Sequence, residues 1–387
     1  MKCAAGLSNY ADTEDAIQHV IEQLHPVSST FDFVIAFFTP HHNARADAIA
    51  RAMSDEFSVR AVIGCSAQGV IGHETEIETG PGLSVLAGVF DAGSGQRVHA
   101  VHLSKEQWQS VIEDAETFAD QFGIVASTQG VIGMGDPWTT PINPLLNAFD
   151  TRATGVPLIG GMASGAQRPG QNVLLFNDAR FDEGFVALAI SGQTKLEPVV
   201  SQGCRPIGRP LVITRARENV IEQLGGRPTI AVLEEIVNGL HERDRKLIEK
   251  GLLIGRAVSE YKETFIRGDF VIRAIIGADA SGQSLAIGDR ARVGQTVQFH
   301  VRDADTAHED LNLLLATRTT KRPAGALCFS CNGRGQRLFD KPHHDALTCA
   351  NLLPGTPIAG FFAAGELGPV GGKNFIHGYT ASLALLE

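Results

Sequence analysis

Phe33-Val34-Ile35-Ala36-Phe37-Phe38 is an unbroken apolar run closed by Thr39-Pro40. So short a run, bounded by a turn signal, reads as a strand buried on both faces. A helical pattern follows over Ala44 to Asp55, and a second strand over Val59 to Gly64. A strand–helix–strand run of this length favours a parallel pair joined by a right-handed crossover. Upstream, Ile17, Val20, Ile21 and Leu24 fall at helical spacing in Thr13 to Leu24, with Asp12 or Thr13 placed to cap. Downstream, Ser84 to Phe90 and Arg97 to Leu103 read as a hairpin around residues 91–95, Lys105 to Gln121 as one helix, and Gly130 to Met134 and Gly184 to Ile190 as strands.

Ser191-Gly192-Gln193-Thr194 is the best linker. Beyond it come strands near Val199, at Leu211 to Thr214, Leu252 to Val258, Phe270 to Ile276, Thr296 to Val301, Gly325 to Ser330 and Pro357 to Phe362. Helices fall at Thr229 to Leu240, Asp303 to Thr317 and His343 to Leu353. Single cores stop growing at roughly 250–300 residues, so 387 residues call for two domains. The expected fold is α/β: two mixed α/β lobes, each a twisted sheet with packed helices, divided as 1–192 and 193–387. The lobes share no evident sequence repeat, although both place a cysteine and glycines at the end of an apolar strand.

Composition narrows the function. A net charge of −10 and a pI near 5.7 argue against a nucleic-acid surface, and the short cluster Arg318, Lys321, Arg322 reads as a solvated loop. No apolar leader opens the sequence, and its longest strongly apolar stretch, 33–38, is far below the roughly 18 residues that span a bilayer. Six dispersed cysteines make no disulfide framework. The expectation is a cytoplasmic protein with reduced thiols and no membrane insertion.

Three glycine-rich loops follow apolar strands, where open α/β sheets bind ligands. The first begins at Gly64-Cys65-Ser66, the second runs Cys328-Phe329-Ser330-Cys331-Asn332-Gly333-Arg334-Gly335, and the third runs from Gly360 through Glu366 to Asn374 and His377. None is a known catalytic pattern. The first is one residue too long for a nucleophile elbow. Gly372-Lys373 lacks both the upstream glycine and the Ser/Thr of a P-loop. Gly133-Met134-Gly135 lacks the third glycine of a dinucleotide fingerprint. Cys328 and Cys331 supply half a zinc site with no second pair, so no metal is expected. Cys65 is either a thiol activated at a strand end or a small buried core residue. Arg334, framed by glycines, offers a planar fork for a carboxylate or phosphate. The competing structural reading pairs Arg334 with Glu366.

In these loops the chain resembles the FIST family. The N-terminal half is similar to the FIST N domain through Val62-Ile63-Gly64-Cys65-Ser66, through Phe37-Phe38 before His41-His42, and through Leu158-Ile159-Gly160-Gly161-Met162-Ala163-Ser164-Gly165. The C-terminal half is similar to the FIST C domain through 325–335, 357–362, 365–369 and 374–380. The resemblance implies a sensory, non-catalytic module that binds an amino acid or another anionic metabolite and signals through a separate protein such as a histidine kinase. Ligand contacts are expected from Gly64, Cys65, Ser66, Gly160, Gly161, Ser164, Cys331, Asn332, Arg334, Glu366, Asn374 and His377. Two alternatives stand beside it. One is a haem-based nitric-oxide sensor with His41, His42, His73 or His377 as axial ligand. The other is a thiol enzyme using Cys65 or Cys328. No cofactor is named by the sequence.

Overall fold

The strand–helix–strand reading around Phe33 describes the observed chain. Phe33–Phe38 and Ala61–Ser66 run parallel with Phe33 opposite Ala61, joined through helix Ala46–Phe57. The computed structural model describes residues 1–387 except Glu263, Thr319 and Thr320. The fold is mixed α/β, with several sheets packed by helices.

Two more parallel pairs are built the same way. Thr128–Gly135 pairs with Leu158–Met162 around helix Ile142–Arg152, and Gly325–Cys331 pairs with Ile358–Ala363 around helix His344–Leu352. Their registers superimpose: Ala36 faces Gly64, Gly133 faces Gly160, and Cys328 faces Gly360. The turn after the leading strand is shared as well. The N–H of His42 donates to Thr39 O (3.0 Å), that of Thr139 to Asp136 O (3.3 Å) and that of Arg334 to Cys331 O (2.8 Å). The chain thus holds a threefold structural repeat that its sequence conceals.

Each pair sits in a six-stranded sheet of common order, and each sheet ends in a hairpin taken from another repeat. The hairpin Val70–Gly72/Thr75–Ile77 follows Ala61–Ser66 in the chain but pairs with Ile358–Ala363. Leu174–Phe176/Ala179–Phe181 follows Leu158–Met162 but pairs with Ala61–Ser66. Glu366–Val370 and Lys373–His377 follow Ile358–Ala363 and extend the sheet of Leu158–Met162. The exchange closes a ring.

At its centre, Phe37 meets Phe361 (ring centroids 4.9 Å apart) and Phe329 (6.1 Å). Aromatic pairs of this kind contribute about 0.5–1.5 kcal/mol beyond their buried area. Phe361 holds the register position that Cys65 and Gly161 hold in the other repeats, and a Cβ on Gly161 would come within 3.2 Å of its ring. One bulky and two small residues fill the shared space.

Packing groups the chain differently from a cut between 192 and 193. Residues 1–200, 312–376 and 380–387 form one compact unit, and 201–311 with 377–379 form the other. A cut at Gly192 would part the hairpin 70–77 from the strand 358–363 that it pairs with. The smaller unit is an antiparallel, barrel-like sheet in which Cys204–Arg217 pairs with both Thr296–Arg302 and Val220–Leu224. Its core includes Ile207, Ile221, Phe299 and Val301. The helix expected over Lys105 to Gln121 is broken at Asp114, whose carboxylate accepts from Thr117 N–H (2.7 Å) and starts a new helix, Ala115–Phe122.

The close strand approach tests the repeat. A Cβ on Gly160 would lie 1.8 Å from Gly133 O, and one on Gly360 would lie 1.9 Å from Cys328 O. Gly160→Ala and Gly360→Ala should each lower stability by about 3 kcal/mol or more, read from urea denaturation midpoints. Gly378→Ala, with nothing within 4 Å of the added carbon, should stay within about 1 kcal/mol of wild type.

Candidate ligand-binding site

The glycine loops expected to supply ligand contacts meet backbone to backbone. Ser164 N–H donates to Ser66 O (3.2 Å), Ala364 N–H to Met162 O (3.0 Å) and Phe362 N–H to Gly69 O (3.0 Å). Most of their side chains serve this junction. Ser66 Oγ accepts from Val173 N–H (2.8 Å), and Ser164 Oγ accepts from Gln68 N–H (2.9 Å) while donating to Phe362 O. Gly64 and Gly160 allow the strands to approach. Asn374 accepts from Leu158 N–H (2.8 Å) and donates to Asp150 (3.1 Å). His377 is buried at the end of its strand.

One junction differs. Arg334 is wholly buried, and its fork grips Asp345, not Glu366: Nε donates to Oδ2 and Nη2 to Oδ1, both at 2.7 Å. Ser330 Oγ also donates to Asp345 (2.6 Å), His344 Nδ1 lies 2.9 Å from it, and the Phe339 ring lies beneath the guanidinium. Burial opposes charge on both partners, yet their mutual attraction holds Asp345 well below the usual carboxylate range and Arg334 above its own. The fork expected to meet a ligand is therefore occupied, because Asp345 opens the helix that packs over the turn. Sequence reasoning missed Asp345. It also missed Glu76, whose Oε1 accepts the N–H groups of Asp345 (2.8 Å) and Ala346 (3.0 Å) and so caps that helix from the exchanged hairpin.

Three polar atoms around this turn have no hydrogen-bond partner among the described residues: Arg334 Nη1, Glu366 Oε1 and Asn332 Oδ1. Arg334 and Glu366 are 0% exposed. Buried polar groups are normally satisfied, so orphans on this turn and on the neighbouring strand Glu366–Val370 need a reason. Glu366 accepts from Thr380 N–H through Oε2 (3.1 Å), and the Cys331 thiol hydrogen-bonds its carboxyl. Burial pushes the Glu366 carboxyl well above the ordinary glutamate range, which favours the neutral acid, the form able to donate. The repeat supplies a control. Glu366 faces Gly161, whereas the equivalent positions facing Cys65 and Phe361 hold Leu174 and Val70. The fold asks for an aliphatic residue there, and this junction carries an acid.

Both cysteines of the thiol-enzyme alternative are buried. Cys65 is fully buried and its thiol is pushed up by burial; Cys328 is pushed up by its hydrogen bond to Cys349 and by burial. Of the haem candidates, His42 is 0% exposed with Nδ1 on Thr13 (3.0 Å), and burial lowers its pKa. His41 packs against Thr39, and burial also lowers the pKa of His73. The described residues contain no group of three or more His, Cys, Asp or Glu side chains placed to hold a metal ion. The roomiest groove described, about 600 Å³ and bordered by Lys2, Gln193, Arg322 and Glu387, holds none of the candidate residues.

A ring of three exchanged-hairpin sheets defines a mixed α/β protein. The chain belongs to the FIST family: residues 32–227 match the FIST N domain and 230–369 the FIST C domain. FIST domains are associated with sensory signalling and small-ligand binding. An uncharacterised Mycobacterium tuberculosis protein is 37% identical, covering 100% of this chain and 99% of its own. An uncharacterised Mycobacterium bovis protein is 39% identical over 89% of this chain and 87% of its own. A cyanuric acid hydrolase structure spans 99% of both chains at 11% identity and a TM-score of 0.31, too distant to carry fold or activity across. Among the described residues, no helix is long and apolar enough to cross a membrane.

Glu76 yields a pH prediction. Burial and then the Asp345 carboxylate raise it from 4.5 to about 8. The folded state therefore binds more protons than the unfolded state between those values, and stability falls as pH rises from about 4.5 to 8. Glu76→Gln should flatten that decline, measured as the difference in urea midpoint between variant and wild type across the window.

Proposed function

We propose that this chain is a cytoplasmic, non-catalytic sensor whose small anionic ligand binds at the Asn332–Arg334–Glu366 junction. The observation that carries the reading is the buried Glu366 with an unpartnered oxygen, in a position where both other repeats place an aliphatic side chain, and burial favours its neutral form. Together with Arg334 Nη1 it supplies two donors, and a carboxylate supplies the matching acceptors. The orphaned Asn332 oxygen suits a donor on the same ligand, as in an amino or hydroxy acid. Occupation would draw on the turn that leads into helix His344–Leu352, giving a separate partner such as a histidine kinase a conformation to read.

Isothermal titration with a panel of amino, hydroxy and keto acids tests this, beside native mass spectrometry for a co-purified small molecule. A panel member should bind, and Glu366→Leu should weaken it at least ~10-fold, since charge-assisted bonds contribute about 1.5–3 kcal/mol. The variant should keep its melting temperature, because Leu174 already occupies the matching place in another repeat. Affinity should fall as pH rises through the elevated Glu366 pKa, since the ionised acid stops donating and repels the ligand. Unchanged affinity in Glu366→Leu would remove the site.

A further inference from the structure

Cys331 stands apart from the other cysteines: it is half-buried, whereas Cys3, Cys65, Cys204, Cys328 and Cys349 are buried. It ends strand Gly325–Cys331 at the position held by Thr39 and Asp136 in the other repeats. There the side chains work for the turn. Thr39 Oγ1 accepts from Gly82 N–H (2.9 Å), and Asp136 Oδ2 accepts from Trp138 and Thr139 N–H (3.1 and 3.0 Å). A thiol is a weak substitute for either. Cys331 Sγ accepts the Gly333 N–H at 3.4 Å, and the thiol hydrogen-bonds the Glu366 carboxyl. The partly exposed Cys331 thus adjoins Glu366, whose Oε1 is unpartnered among the described residues, as is Nη1 of the nearby Arg334.

We propose that Cys331 is a covalent attachment site for a small α,β-unsaturated carbonyl compound, its carbonyl oxygen held by Arg334 and Glu366. The proposal rests on the reading of this junction as the ligand site. Both donors meet a group that only accepts, and a carbonyl oxygen is such a group; a hydroperoxide would bring an O–H that neither can satisfy. Sulfur loses its proton to water and bonds to the β-carbon. The carbon–carbon π pair moves toward the carbonyl, whose oxygen gains negative charge between Arg334 and Glu366. Water then returns a proton to the α-carbon. The net change is addition of S–H across C=C, with nothing oxidised or reduced. The adduct severs the Cys331–Glu366 hydrogen bond, so the turn carrying Arg334 registers the event.

Intact-protein mass spectrometry of the full chain with cyclohex-2-enone as probe, and iodoacetamide as a thiol reagent that needs no carbonyl activation, tests the proposal. One cyclohexenone adduct should form, mapped to Cys331 by peptide analysis and absent in Cys331→Ser. Glu366→Leu should slow the enone at least ~10-fold while changing the iodoacetamide rate by less than about twofold, because only the enone develops charge on an oxygen. Equal slowing of both reagents, or adducts spread over the other cysteines, overturns the covalent site. Carboxylate titration of Cys331→Ser separates the two readings: retained affinity beside an unreactive wild-type Cys331 overturns this inference alone, and the ligand reading falls only through the Glu366→Leu titration.

Discussion

Each sheet of the larger unit is completed by strands that follow a different repeat in the chain, and their edge hydrogen bonds have to be made across the ring. A lone two-stranded hairpin is at best marginal in water, so the exchanged hairpins gain their order from the sheets they join. The close approach of the paired strands adds a second demand. At Gly64, Gly160 and Gly360 a Cβ would fall within 2.3 Å of a facing carbonyl. Glycine there lets the strands lie close enough for their ends to interlock. The Phe37, Phe329 and Phe361 cluster then fills the space inside.

Three equivalent junctions in one chain carry different polar groups on one backbone frame. Ser66, Asn172 and Asp136 at another junction satisfy one another by hydrogen bonds, as a structural network should. The junction of Arg334 buries a bidentate ion pair instead. Such pairs contribute little net stability, because desolvation offsets most of the attraction. Breaking one is costly, since it strands a buried charge. Arg334–Asp345 therefore acts as a rigid frame that fixes where Nη1 points, with Glu366 as the adaptable member beside it.

The strands around Phe33, the parallel pairing and the mixed α/β class were legible because apolar runs bounded by turns report burial directly. The glycine loops and Arg334, Glu366 and Asn332 were also visible as chemistry-bearing positions. The threefold repeat was not, because the repeats agree in register and hydrogen bonding while sharing little beyond a glycine in each second strand. Arg334 was expected to face a ligand or Glu366. It meets Asp345, which belongs to a helix more than one turn further along the chain, and no spacing rule links a strand-end turn to the first residues of the next helix. Glu76 was hidden for a similar reason: its partners are Asp345 and Ala346, on the far side of the ring closure. The break at Asp114 was readable in principle as a capping aspartate, but the apolar spacing on either side outweighed it.

Hairpin exchange also sets an order in time. The strands of residues 70–77 are synthesised early, yet the strand that receives them ends at residue 363. At ~5–20 residues per second, those intervening residues take on the order of 15–60 s to emerge from a ribosome. For that interval the apolar sequence Val70-Ile71 has no native edge to join, and an unpaired edge is an invitation to foreign strands. The nascent chain is therefore vulnerable until residue 363 has emerged, and Thr380–Leu386, synthesised later still, joins the sheet of Gly325–Cys331 after its other described strands.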